Sequence, residues 1–205
     1  MKNKIIYIIC AIMIFVSIYE ITDTYGLFES QKDLVADNTV AKWNIYINDY
    51  SLNTTETFII DNFTFEESNT VADNKIAPGI TGWFDIIIDP KDTQVSVRYD
   101  ITFDFTSLPN NITIESIEET SGQQIIKTGP NTYSNYITLA NINDGITNNI
   151  RVYIKWDNDE ANNESDTVIG LTEDNVIQIP VSITVSQYLN EVIEPYTEPT
   201  SEEEW

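Results

Sequence analysis

The chain contains no histidine, and its single cysteine, Cys10, sits inside an apolar run near the N-terminus. The first absence removes HExxH zinc sites, Ser-His-Asp and Cys-His arrangements, and imidazole acid–base chemistry. The second leaves no disulfide framework and no thiol nucleophile in the body of the protein, so the fold must stand on packing alone. Only seven glycines occur, and none are spaced as a phosphate-binding loop. Positive charge is scarce as well: ten Lys and Arg face 33 Asp and Glu, for a net charge of −23. Such a surface repels phosphate instead of releasing its counterions, which excludes a nucleic-acid partner. No pair of carboxylates stands out from the many as a glycosidase pair. The inventory describes a protein that is not an enzyme.

What is present begins with an export signal. Lys2 and Lys4 form a basic start, and residues 5–19 run without a charge. Fifteen residues are short of the roughly 18–20 that a membrane span needs, and Glu20 with Asp23 blocks extension. Thr24 and Gly26 supply the small-x-small pattern of a signal-peptidase site, which places cleavage between Gly26 and Leu27. The alternative is an uncleaved anchor, with contact to the membrane only through this leader. A lipoprotein reading of Cys10 fails because Ile8 and Ile9 precede it where small residues are needed. Removing residues 1–26 takes away two charges of each sign and leaves the net charge at −23. Export without disulfides, in an Ile- and Asn-rich, glycine-poor chain, fits a bacterial surface.

After residue 40 the dominant pattern is alternation. "QVSVRYDITFDF" (94–105) puts Val95, Val97, Tyr99, Ile101, Phe103 and Phe105 on one face. "IRVYIKW" does so with Ile150, Val152, Ile154 and Trp156, and "VIQIPVSITV" with Ile177, Ile179, Val181, Ile183 and Val185. Pro180, on the polar face of the last, argues for an edge strand. Shorter candidates are 42–48, 56–66, 82–89, 111–118, 123–128 and 132–140, separated by turn signals such as Pro78-Gly79, Asp89-Pro90 and Asp144-Gly145. No stretch beyond the leader shows a helical period. The expected fold class is all-β: a two-sheet β-sandwich of jelly-roll (Greek-key) type after an N-terminal signal segment. Trp43, Phe84 and Trp156 read as core. The expected organisation is a signal peptide over 1–26, an N-terminal segment over 27–40, the sandwich over 41–188 and an acidic disordered tail over 189–205.

One acidic stretch invites a metal. "DNDEANNESD" gathers Asp157, Asp159, Glu160, Glu164 and Asp166 within ten residues, an oxygen-rich set of the kind calcium accepts. It departs from the EF-hand pattern at Ala161, Asn162 and Val168, and a solvated hairpin loop is the simpler expectation.

Three blocks carry a family resemblance: "TYGLF" (24–28), "NTVAKWNIYIND" (38–49) and "IAPGITGWFDIIIDPKDTQVSVRYDITFD" (76–104). Together with "RVYIKWDNDEANNESDTVIG" and "IPVSITVSQY", they resemble the TasA/camelysin family of signal-peptidase-W-dependent secreted proteins. Asp23 and Gly26 depart from that family's usual Gly and Ala. The resemblance implies a jelly-roll subunit exported, trimmed by a signal peptidase, and placed in a biofilm matrix or on the cell surface as fibres. It also implies that residues 27–40 add as a strand to the next subunit, with Phe28, Leu34 and Val40 as the side chains that would be buried. The partners would then be other copies of the chain or related matrix subunits. The contrasting expectation is a monomeric, surface-held module binding calcium, a glycan or a protein.

Overall fold

The computed structural model describes residues 12–13, 40–121, 124–171 and 176–199. The chain divides into two compact units, 1–40 and 41–205. Among its described residues the second unit is an all-β sandwich of eleven strands. In chain order these are β1 (Ile45–Ile47), β2 (Tyr50–Leu52), β3 (Thr55–Ile60), β4 (Thr64–Phe65), β5 (Thr81–Asp89), β6 (Val97–Phe103), β7 (Ile112–Glu119), β8 (Ile126–Lys127), β9 (Thr132–Ile137), β10 (Asn148–Trp156) and β11 (Ile179–Gln187). Two helices interrupt them, α1 (Leu139–Asn143) and α2 (Asn163–Leu171).

Sheet A runs β2-β1-β5-β10-β7 with β4 also against β5, and sheet B runs β3-β11-β6-β9-β8. All pairings are antiparallel. Only the β1–β2, β4–β5 and β8–β9 connections stay within a sheet, and the other seven carry the chain from one layer to the other. The alternating residues meet between the layers: Phe84, Ile86 and Ile88 of β5 and Ile150, Val152 and Ile154 of β10 face Tyr99, Ile101 and Phe103 of β6 and Val181 and Ile183 of β11, all buried. Each such aliphatic burial contributes roughly 1.5–3 kcal/mol. Phe84 and Trp156 are core, as expected, and Trp43 is half-buried against it.

Several elements differ from the sequence pattern. The 94–105 run is shortened at both ends. Asp104 Oδ1 accepts from Thr106 N at 3.0 Å and from its hydroxyl at 2.6 Å, a turn that ends β6 at Phe103. Phe105 leaves the ladder but stacks on Phe103, with centroids 5.4 Å apart. The 56–66 run is two strands in different sheets, β3 in B and β4 in A, broken around Asp61-Asn62. Pro180 is not on an edge, because β11 lies between β3 and β6. Its carbonyl accepts from Asp104 N at 2.9 Å, so its missing N–H faces the chain just past the last residue of β6 and forgoes a bond only where that ladder ends.

The helices were invisible to periodicity. α1 is one turn started by Thr138, whose hydroxyl accepts from Asn141 N at 3.2 Å. α2 buries none of its residues and therefore has no apolar stripe to reveal it. The C-terminal segment also differs from a disordered tail: over 189–199 it lies on sheet B. Ile193 is only 7% exposed, Tyr196 N donates to the Lys127 carbonyl of edge strand β8 at 2.7 Å, and Glu191 sits 3.5 Å from the Arg98 guanidinium. Its apolar Ile and Tyr, spaced among Glu and Pro, cover an edge that would otherwise present open backbone groups.

Inside the sandwich a polar bridge ties the two sheets. The Tyr99 hydroxyl of β6 donates to Glu119 Oε2 at the end of β7 (2.9 Å) and accepts from Asn148 Nδ2 at the start of β10 (2.8 Å). Glu119 Oε1 accepts from Asn149 N at 2.9 Å and from the Ser121 hydroxyl. Burial pushes the Glu119 carboxyl above its usual range, against the opposing pull of the bonds from Ser121, Tyr99 and Asn149. Burial, followed by the Glu119 charge, likewise raises the Tyr99 phenol. A carboxyl whose pKa is higher in the folded state gives stability that is fully present below its unfolded pKa and is lost as pH rises through the folded value. Relative to Glu119→Gln, the native chain is therefore expected to lose stability as pH rises above about 4.3. Urea melts of both proteins across the range check this; an unchanging difference would contradict it.

Candidate functional site: an open cleft at the sandwich edge

β1 and β2 form a tight hairpin whose two loop residues, Asn48 and Asp49, have φ of 45° and 70°. Two consecutive left-handed residues define the mirror-image turn that matches strand twist, and Asn and Asp tolerate it. Because the turn comes so early, β1 reaches only the end of β5, pairing Tyr46 with Asp89 and Ile47 with Ile88. β4 pairs only with the other end, Thr64 with Trp83 and Phe65 with Gly82. Phe65 can lie there because Gly82 has no side chain; a Cβ would come within 2.4 Å of its ring. Among the described residues, no strand pairs with β5 over 84–87 on this side.

The Asn48 side chain spans part of the gap. Its Oδ1 accepts from Ile87 N at 2.8 Å and its Nδ2 donates to the Asp85 carbonyl at 3.3 Å, while Asn48 N donates to the Ile87 carbonyl at 3.0 Å. A single amide thus stands in for a neighbouring strand.

Beneath the gap lies a cleft of about 580 Å³. Its floor is Val181 and Ile183 of β11, and Phe58 and Ile60 of β3 form the sheet B wall. Ile47, Phe84 and Ile86 close it from sheet A. Phe58 and Ile60 point toward the interior, opposite Val181 and Ile179 in register, yet stay half-buried because sheet A places no full strand over them. Around the mouth, Tyr50 is 68% exposed and Ile59 60% exposed, and the Tyr50 ring lies 6.4 Å from Phe58. The site is a cleft with an apolar floor and a polar rim of Asp49, Asp61, Asn62 and Asp85, beside a stretch of β5 edge that no described strand pairs and that Asn48 alone bonds, an arrangement that suits an added strand in preference to a compact ligand.

The residues singled out from sequence fall elsewhere. Thr24, Gly26, Leu27, Phe28 and Leu34 lie outside the described residues, and Val40 is 93% exposed. The acidic stretch is not a hairpin loop. Asp159 caps a short 3₁₀ turn (Glu160–Asn162) by accepting from Ala161 N at 2.9 Å, and Glu164 and Asp166 stand in the first turn of α2, where the helix dipole favours them. Asp166 Oδ1 accepts from Trp156 Nε1 at 2.7 Å and from Asn111 Nδ2 at 2.6 Å, pinning α2 to the end of β10. Asp157 and Asp159 share their surroundings with Lys155. Among the described residues, no three His, Cys, Asp or Glu side chains gather in a way that could hold a metal ion. Nor is any described helix long and apolar enough to cross a membrane.

The sequence held no direct signal for the cleft, since it depends on which strands become neighbours. The chain matches no protein-family model, no curated protein and no solved structure.

Proposed function

We propose that the protein is a secreted, non-enzymatic structural subunit of an extracellular matrix or surface fibre, and that copies join when residues 27–40 of one enter the edge cleft of the next. The observation that carries this reading is the interrupted edge of β5, with a cleft of apolar floor directly beneath it. An entering strand would displace the Asn48 side chain from Asp85 and Ile87 to pair with that backbone and would set alternate side chains on Phe58, Ile60 and Val181. The resemblance to the TasA/camelysin family supports the same reading, as does the 93% exposure of Val40, the last residue of the candidate donor.

Three burials at about 1.5–3 kcal/mol each, for Phe28, Leu34 and Val40, would be offset by a comparable cost of ordering and association. Assembly is then conditional, favoured by high local concentration and by salt or acid that screens the −23 charge. Release by signal peptidase at Gly26–Leu27 would free the donor. Negative-stain microscopy of residues 27–205 tests the reading: filaments support it, and a monomer at high concentration and high salt opposes it in favour of a surface-held binding module.

A further inference from the structure

The outer face of sheet A differs from that of sheet B. Side chains alternate along each strand, so with Phe84, Ile86, Val152 and Ile154 buried inside, Trp83, Asp85, Arg151 and Tyr153 point out. The register aligns them in rows across neighbouring strands. The central row is Thr64 of β4, Trp83 of β5, Tyr153 of β10 and Ser116 of β7. On one side of it runs Asp85, Arg151 and Glu118, and on the other Thr81, Lys155 and Thr113. Two rows of sheet B, Thr57-Ser182-Thr102-Thr132 and Thr55-Thr184-Asp100-Ser134, carry hydroxyls and one carboxylate, and a third, Ser186-Arg98-Tyr136, carries one ring that stacks on Tyr188 with centroids 4.1 Å apart, so only sheet A sets two rings side by side in one row across neighbouring strands.

The aromatic row is held in place. The Trp83 and Tyr153 rings are tilted 48° to each other with centroids 6.4 Å apart, and the Arg151 guanidinium lies over one face of Trp83, 5.4 Å from its centroid, which leaves the other face of the indole to a ligand. Arg151 is fixed by two 2.8 Å bonds to the Asp85 carboxylate, from Nε to Oδ1 and from Nη2 to Oδ2. This leaves two half-buried rings flanked by donors and acceptors whose positions are set before any ligand arrives.

We infer that this face is a binding platform for an uncharged polysaccharide chain lying across the strands, with sugar rings against Trp83 and Tyr153. Pyranose rings have apolar C–H faces that stack on aromatic rings, and rims of hydroxyls that need fixed hydrogen-bond partners; an amphipathic ring row between polar rows offers both. Neighbouring strands are about 4.8 Å apart, so the row presents a contact to each of several successive sugars. Thr64 and Ser116 extend it at both ends with hydroxyls. The choice of an uncharged chain follows from electrostatics: the protein's net charge of −23 repels polyanions, and the charge of Arg151 is already answered by Asp85. An open face without walls suits a polymer, whose repeated weak contacts add, over a single sugar.

The platform does not depend on strand addition, since binding is read on the single chain and failure on either side leaves the other standing. Native affinity electrophoresis of the chain through gels containing a soluble β-glucan, a galactomannan or, as the polyanion, alginate is the test, followed by titration with cellohexaose read by tryptophan fluorescence. Retardation by at least one uncharged polymer and none by alginate is expected. Trp83→Ala and Tyr153→Ala should each weaken it by about ten-fold or more, with melting temperatures checked in parallel, while Tyr153→Phe and Trp83→Phe should keep most of it and serve if either alanine variant does not fold. Absence of retardation in both uncharged polymers, or undiminished retardation in a folded Trp83→Ala, Tyr153→Ala double variant, would overturn the inference.

Discussion

Phe58→Asp is expected to leave a folded sandwich that no longer associates. Phe58 belongs to the outermost strand of sheet B, and its ring is only half-buried against the core and the Tyr50 ring, so the single chain is expected to lose stability but less than at a fully buried ring, and to stay folded. In the assembled state the same ring would lie under the incoming strand, and a carboxylate there would be taken out of water without a partner, at a cost of several kcal/mol. That exceeds the narrow surplus left after the costs of ordering and association, so the effect should read as loss of filaments and not as a shift in their length. Sedimentation and negative-stain images of the variant and the native chain at equal concentration and salt report it. Wild-type filament yield from a folded Phe58→Asp protein would remove the cleft from the assembly mechanism.

Phe103→Ala should have the largest effect on stability. Phe103 is 1% exposed at the centre of an aromatic cluster, with centroids 6.4 Å from Phe84, 5.4 Å from Phe105 and 5.9 Å from Tyr133. These neighbours come from both sheets and from the turn beyond β6, so none can move into the space without opening a gap elsewhere. Truncating such a ring costs about 3–5 kcal/mol, against a total stability of about 5–15 kcal/mol for a domain of this kind. Urea unfolding followed by tryptophan fluorescence should show the midpoint fall by about a fifth or more of its native value. A change below about 1 kcal/mol, the range of surface substitutions and benign core swaps, would mean that the two layers are not packed through this ring.

How much of this was legible before the structure depends on how local the signal was. β6, β10 and β11 were clear because alternation is a property of neighbouring residues, and their inward faces are those read from the sequence. Pro180 misled because a missing N–H is tolerated wherever the partner strand has ended, and strand ends are set by another segment, here the Asp104–Thr106 turn. α2 gave no period because none of its residues is fully buried and only Ile169 packs against the core, and nothing in its acidic first turn announced that Asp166 accepts from Trp156 and Asn111. Residues 189–199 looked unpackable because Ile193 and Tyr196 are isolated among Glu and Pro. The cleft and the Tyr99–Glu119–Asn148 bridge were beyond reach, since both arise where distant segments meet. Trp83 is the reverse case: alternation in "GWFDIIID" turns it outward whenever Phe84 is turned in, so its place on the outer face is readable from neighbouring residues alone.

The most direct test of strand addition compares residues 27–205 with a chain beginning at Ala41, which keeps every sandwich strand. Both should melt cooperatively at similar temperatures. Only the longer chain should form filaments, and a peptide of residues 27–40 should bind the shorter one and be excluded by Phe58→Asp. Filaments formed as readily from residue 41 as from residue 27, or a peptide that binds the Phe58→Asp protein equally well, would contradict strand addition through the cleft.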